Sequence, residues 1–377
     1  MAREVAFPPA NVHHHSPPRS LNYSTTVLST SAASDSQVME VGRILQGAKW
    51  QYRLVNPLTH GVHISRVFKA EMLPGRERRI PAKWALIKTA SPDNTDTMKF
   101  PREELNAYNL SSVKSCTSFR ALHDIIGDPE DRGEHAQEPP MLVLEWLDCT
   151  LSDVPSKHHL QNYPLFKAVI DAVLRSSVSL GKESLVNTDI KADNILLSAI
   201  DTDRPLAKVG DLGVLRQEGI TYPVQPYAMR APEVYQGVGC VQKSQIWALA
   251  ATLICWIKPG VFGTAGNTIP LFHEGWSVSK LLRLFPDWDP PPIAHAVRRT
   301  QFAFGNHLVE HPVPEMSKIL SLEEELQGMG IPAVLRDLFR YLLVVDPARR
   351  PSAAEVLASP EYQALQQAAL ASTSRGN

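Results

Sequence analysis

The apolar positions change period part-way along the chain. In the first half they come in short runs: Val62, Ile64 and Val67 nearly alternate, and Trp84, Leu86 and Lys88 follow a turn-rich stretch holding Pro74-Gly75. A period of two predicts strands with one face inward. One helical segment is predicted near Pro101 to Leu110, with Pro101 in the first turn, where a missing N–H costs nothing. Leu142-Val143-Leu144 reads as a buried strand after a polar insertion from Gly127 to Pro140. Further on, Leu165, Val169, Ala172 and Val173 fit one helical face, as do Leu249, Thr252, Leu253 and Trp256. The expectation is an α+β chain with a small β-rich lobe (39–147) and a larger, mainly helical lobe (148–360). Residues 1–38, rich in Ser, Thr, Pro and Ala, predict a disordered tail, and 361–377 a C-terminal one. His13, His14 and His15 lie in the first tail with no other ligand cluster, so they read as solvated.

Composition narrows the function classes. Of 377 residues, 44% are apolar and 20% charged, with a net charge of -1. No bulk basic field draws the chain to nucleic acid or anionic lipid. The longest apolar run, Ile246 to Ile257, is closed by Lys258 and Pro259, too short to span a membrane. Cys116, Cys149, Cys240 and Cys255 are far apart, with no CxxC pair, which excludes a zinc ribbon and suggests a reducing, intracellular and cytoplasmic setting. Arg76, Arg78 and Arg79 form a basic run that reads as a solvated turn.

The stretch that carries chemistry is Asn187-Thr188-Asp189-Ile190-Lys191-Ala192-Asp193-Asn194, followed by the apolar Ile195-Leu196-Leu197. It holds a carboxylate, a cation two residues on, and a carboxamide three further. Phosphoryl transfer uses such parts: an acceptor for a hydroxyl proton, a positive charge near the moving group, and an oxygen ligand for Mg²⁺. Past a predicted hairpin comes Val209-Gly210-Asp211-Leu212-Gly213, whose Asp211 is a second metal-ligand candidate. Taken alone, either Asp is more often a turn residue or a cap.

With these residues the chain resembles the eukaryotic protein kinases. Asp189 and Asn194 match the HRD-x-x-x-x-N catalytic loop, Asp211-Leu212-Gly213 the DFG motif, and Ala231-Pro232-Glu233 the APE motif. Ala85-Leu86-Ile87-Lys88 matches the V-A-I-K strand. Leu144-Glu145-Trp146-Leu147 looks like the gatekeeper and hinge, and Asp346-Pro347-Ala348-Arg349-Arg350-Pro351 resembles the DPxxRP element. The resemblance runs over about residues 50–360. It implies a bilobal kinase-like fold, with ATP and Mg²⁺ in the cleft and a protein substrate. Asp189 and Lys191 would be catalytic, and Asn194 and Asp211 would hold the metal. Lys88 would hold the phosphates, paired with Glu104 or, second, Glu103. The backbone at Glu145 and Leu147 would read adenine, and Arg350 would pair with Glu233. Lys191, two residues after Asp189, resembles the Ser/Thr branch, and the Leu of the DLG motif a divergent, fungal-type member.

Departures accompany the matches. Only Gly61 stands in the region of the Gly-rich loop, His60 to Val67. Asn187 and Thr188 replace the His and Arg of HRD, and Gln245 stands where an Asp is usual. Thr188 leaves a phosphate on Thr221 or Tyr222 without an arginine beside Asp189. Gln245 is expected to be buried beneath the catalytic loop, accepting from its backbone N–H groups. Two rival readings stay open: a pseudokinase serving as a nucleotide-binding scaffold, and a small-molecule kinase sharing the same Asp/Asn/Asp logic. Ala231-Pro232-Glu233 and Arg350 speak against the second.

Overall fold

A buried carboxylate organises the start of the first lobe. Asp124 accepts from the backbone N–H of Lys49 (2.9 Å) and Trp50 (3.2 Å) and from the Tyr52 hydroxyl (2.9 Å). It lies so close to the preceding turn that a Cβ on Gly47 would sit 2.4 Å from its Oδ2. The strands on either side are β1 (Ile44–Gln46) and β2 (Gln51–Pro57), with Asp124 itself on β5 (Leu122–Ile126). With β3 (Ser65–Leu73), β4 (Trp84–Ala90) and β6 (Met141–Glu145) they make an antiparallel six-stranded sheet, ordered β1-β2-β3-β4-β6-β5. The computed structural model describes residues 39–58, 65–90, 100–127 and 140–373. Gly61, Val62 and Ile64, most of the polar insertion and the N-terminal tail lie outside those residues.

On this sheet rests α1 (Phe100–Asn109), the helix expected from Pro101 to Leu110. It buries Glu104, Leu105, Ala107 and Tyr108 along one side, at the i, i+3 and i+4 spacing that shares a face. A short turn of helix, α2 (Ser111–Lys114), leads to β5.

The second lobe is helical around two long elements. In α3 (Tyr163–Gly181) the Asn162 side chain caps the N-terminus by accepting from the Leu165 N–H at 3.0 Å. The run Ile246 to Ile257 lies in α5 (Gln242–Ile257), which is buried from Ser244 through Ile254 and again at Trp256. Apolar on all sides, it forms the core of the lobe. Around these pack α4 (Pro232–Gln236), α6 (His273–Leu284), α7 (Ala296–Glu310), α8 (Pro314–Ser317), α9 (Leu322–Gly328), α10 (Ala333–Leu342) and α11 (Ala353–Ala358). Residues 361–377, expected as a tail, instead carry most of α12 (Pro360–Thr373), which packs on α3. Tyr362, Leu365 and Ala369 are buried there, and the Tyr362 hydroxyl donates to Asp171. The signal was present as apolar residues three and four apart, but within an Ala- and Gln-rich stretch.

Small strands on the inner side of this lobe position the chemistry. Hairpin β9 (Ile195–Ser198) and β10 (Leu206–Val209) pairs in register from Ile195↔Val209, with β7 (Cys149–Thr150) beside β9. Strand β8 (Leu185–Asn187) pairs with β11 (Leu215–Gln217). The four cysteines are free. Among the described residues no helix is long and apolar enough to cross a membrane.

Candidate active site

Hairpin pairing brings together residues that are distant in sequence. Asn194 immediately precedes β9 and Asp211 follows β10 by two residues, so their strands carry them to the same end. The Gly210 N–H closes that end by donating to the Asn194 carbonyl at 2.9 Å. Asp211 sits in the left-handed region, at φ 52° and ψ 73°. Such a conformation costs energy for a residue with a Cβ and is tolerated best by Asp and Asn. The turn behind it, Leu212 to Val214, packs against α1 and buries Leu212.

Strand β4 meets this end from the first lobe. The Lys88 ammonium lies 2.7 Å from Glu104 Oε2 on α1 and 2.9 Å from Asp211 Oδ1. Burial works against the charge on Lys88, and the two carboxylates outweigh it, holding its pKa above the ordinary lysine value. Of the two glutamates considered for Lys88, it is Glu104 that reaches it. Glu103, one residue earlier and exposed, faces Arg216 of β11 at 3.7 Å.

The Asp189 loop is braced from several sides. Asp189 Oδ2 accepts from Lys191 Nζ and from Asn194 Nδ2, each at 2.9 Å, and the same amide also donates to the Asp189 carbonyl at 2.9 Å. Burial pushes the Asp189 carboxyl pKa up, opposed by Lys191 and Asn194, while the neighbouring Asp211 adds to the rise. Below, the fully buried Gln245 accepts from the Asn187 N–H at 3.0 Å and donates to Gln242 Oε1 at 2.9 Å. Asn187 Oδ1 accepts from the Asp189 N–H at 2.9 Å, while its Nδ2 is buried without a partner. The Thr188 hydroxyl donates to the Val214 carbonyl at 2.7 Å, tying the loop to the segment after Asp211. Asp193 is exposed and accepts from Ser152.

Further out, Glu233 and Arg350 form a bidentate ion pair at 2.8 and 2.9 Å, and both side chains are buried. Arg350 also donates to the carbonyls of Val344, Val345 and Lys243, and its guanidinium lies over the Trp247 ring. Ser244 at the start of α5 donates to Glu233 at 2.5 Å.

At the expected hinge, Glu145 is held by several protein groups. The Glu145 N–H donates to the Ala121 carbonyl at 2.8 Å, and its own carbonyl accepts from Arg120 Nε at 2.6 Å. Its carboxylate is held by Lys208 Nζ at 2.7 Å and by the Ala121 N–H at 3.0 Å. The Glu145 N–H and carbonyl thus each have a protein partner, the carbonyl keeping a second lone pair. Leu147 is buried and Trp146 half-buried, with Lys69 Nζ 4.2 Å from the Trp146 ring and 4.6 Å from that of Trp84. Sequence reading missed Arg120 and Lys208, which are 25 and 63 residues from Glu145. It also missed Arg216, whose Nε donates to the Tyr222 hydroxyl at 3.3 Å.

The family model of the protein kinase domain matches residues 122–361. The chain belongs to the protein kinase family. The bilobal arrangement, a curled sheet set beside a helical lobe, is the fold of that family. The matched span begins after Lys88 and Glu104, so the kinase-like placement of those two rests on geometry. The chain is also similar to a Drosophila melanogaster stress-activated protein kinase JNK, 23% identical over 228 residues, 57% of each chain. It thus spans little more than half the length of that relative.

The site suits Mg²⁺ by the chemistry of its donors. Among the described residues no three His, Cys, Asp or Glu gather as a metal site. Mg²⁺ needs less: one or two hard oxygens from protein, the rest from phosphate and water. Lys88 occupies Asp211 Oδ1, and the Asn194 amide N–H groups are turned to Asp189. Asp211 Oδ2 and Asn194 Oδ1 keep their lone pairs free of protein donors among the described residues.

Proposed function

We propose that this protein transfers the terminal phosphoryl group of a Mg²⁺-bound nucleoside triphosphate, ATP by the family resemblance, to a Ser or Thr hydroxyl of a protein. One observation carries the reading: Lys88–Glu104–Asp211 and Asp189–Lys191–Asn194 are each assembled within hydrogen-bonding distance, beside the one end of the β9–β10 hairpin where Asn194 and Asp211 meet. Residues serving only the fold need not bring two lysines and three acids together in this order.

The chemistry follows from the placements. Asn194 and Asp211 would hold Mg²⁺, which when bound offsets charge on the phosphate oxygens. Lys88, kept cationic by its two carboxylates, binds the phosphates that remain attached to the nucleoside. The substrate hydroxyl oxygen attacks the terminal phosphorus as the bond to the bridging oxygen breaks. Asp189 would orient that hydroxyl and take its proton, and Lys191, 2.9 Å from Asp189, would neutralise charge on the transferring group. Lys191 follows Asp189 by two residues, as in the Ser/Thr branch, and supports a Ser or Thr acceptor. The four free cysteines accord with an intracellular setting.

Incubation with a radiolabelled triphosphate, Mg²⁺ and a Ser/Thr/Tyr peptide library tests this. Label is expected on Ser or Thr peptides, and Asp189→Asn should remove it while nucleotide binding persists. A nucleotide-binding scaffold is the second reading, favoured by Gly61 as the single glycine between His60 and Val67 and by Asn187 and Gln245 at their positions. Mg²⁺-dependent nucleotide binding with no transfer by the wild-type chain would establish it instead.

A further inference from the structure

A cavity of about 290 Å³ opens between the end of α1, α2, the start of β5 and Lys208 of β10. Three cations line it, Lys114, Arg120 and Lys208, and among the described residues no Asp or Glu does. Val113 and Phe119 are buried and Leu122 half-buried, so part of the wall is apolar. Lys114 and Thr117 are exposed and stand at the mouth.

The three cations differ in how their charge is met. Lys208 is paired with the Glu145 carboxylate at 2.7 Å, and Lys114 is open to water. Arg120 is 8% exposed, and among the described residues no carboxylate is in ion-pair contact with it. Glu104 and Asp211, which act on it electrostatically, are themselves bonded to Lys88. A guanidinium carries five N–H donors in a rigid fork. Nε donates to the Glu145 carbonyl at 2.6 Å, and the four N–H groups of the terminal nitrogens have no acceptor among the described residues. A buried charge with unmet donors is costly, and a ligand that brings oxygens to it removes that cost.

The chemistry of the lining selects the ligand. A carboxylate offers two coplanar oxygens that match the guanidinium fork, and its single charge balances the single unpaired cation. A phosphate dianion would bring a second charge against the apolar wall. The volume equals that of roughly ten liquid water molecules, which suits a small molecule. We propose that this cavity binds a small organic monocarboxylate, with its carboxylate on the Arg120 guanidinium and its apolar body against Val113, Phe119 and Leu122. The site shares no residue with the Lys88 and Asp189 clusters, so it stands apart from the phosphoryl-transfer reading.

NMR titration of the wild-type chain with benzoate, phenylacetate, benzyl alcohol and inorganic phosphate tests it. Hydrogen bonds to a charged group lead to an expected affinity for a carboxylate at least about tenfold above that for the neutral alcohol. In Arg120→Met, which keeps an unbranched side chain without the charge, this preference should vanish. Lys114→Glu alters only an exposed side chain and should weaken carboxylate binding several-fold by placing a like charge at the mouth. It keeps the test decisive where Arg120→Met fails to fold. If neither carboxylate binds, or both bind no better than the alcohol, the proposal is overturned. Binding unchanged in a folded Arg120→Met, or in Lys114→Glu where the first does not fold, would place the ligand elsewhere and overturn it too. Phosphate binding as tightly as either carboxylate would overturn the monocarboxylate assignment.

Discussion

At the scale of single residues, buried amides anchor the loop that carries Asp189 from below. Gln245 uses both ends of its side chain, accepting from Asn187 and donating to Gln242, at a fully buried position. Gln245→Leu keeps much of the volume but leaves the Asn187 N–H and Gln242 Oε1 without partners. That should lower stability by about 1–3 kcal/mol and weaken exchange protection of the Asn187 amide. Urea denaturation with amide exchange reads both, and an unchanged midpoint would show that the loop is anchored elsewhere. Asp189 gives a pH prediction. Its folded pKa is raised by burial, so its proton leaves at higher pH than from an exposed aspartate. A base must be ionised, and the acid limb of kcat/KM should therefore lie above the ordinary aspartate range. Lys191→Met removes the main influence opposing the rise and should move that limb further up. A pH–rate profile with the limb unmoved or lowered would exclude Asp189 as the group titrating. In stability the same raised pKa acts the other way: its contribution is present at low pH and is lost as pH rises through the folded value.

At the scale of elements, α12 and the β9–β10 hairpin show different kinds of specification. The hairpin was legible because Asn194 and Asp211 bracket two apolar runs, and antiparallel pairing must bring its ends together. In α12 the small, polar stretch hid three inward positions. Leu365→Ala should cost about 2–5 kcal/mol if the helix is docked as observed, whereas exposed Gln367→Ala should be close to neutral. Chemical denaturation of the two variants checks this, and equal small effects would mean that the helix adds nothing to the core. The segment after Asp211 is tied to its surroundings by Thr188 and by Arg216, which also contacts Glu103 of α1. Only in three dimensions do those elements adjoin.

At the scale of the whole molecule, two ion-pair systems join distant parts. Arg350 and Glu233 are 117 residues apart and connect the APE segment to the approach to α11. Removing one partner of such a buried pair strands the other charge, so Arg350→Ala should cost about 3–5 kcal/mol, seen as a markedly lower melting temperature. A shift within error would mean that the pair contributes nothing net. Lys88, Glu104 and Asp211 join the two lobes. Asp211→Ala should leave the apo fold intact while removing most Mg²⁺-dependent stabilisation by nucleotide, read by thermal shift with and without the metal. Undiminished metal dependence would place the Mg²⁺ ligands elsewhere.

The order of charged and apolar positions by itself determined that a sheet-rich lobe precedes a helical one. It also determined that Lys88, Asp189, Asn194 and Asp211 follow one another as strand, loop and hairpin residues. These were legible because period two, period 3.6 and turn chemistry are local properties of the chain. Tertiary structure decided which glutamate meets Lys88. Neighbouring residues on a helix differ by about 100° in direction, so the packing of α1 turns Glu104 inward and Glu103 toward Arg216. It also decided the state of the hinge. Nothing in the sequence around Phe119-Arg120-Ala121 marks an arginine that will be buried. Its environment is made by α1, β6 and β10, which folding brings around it, and there a carbonyl 25 residues away becomes its acceptor.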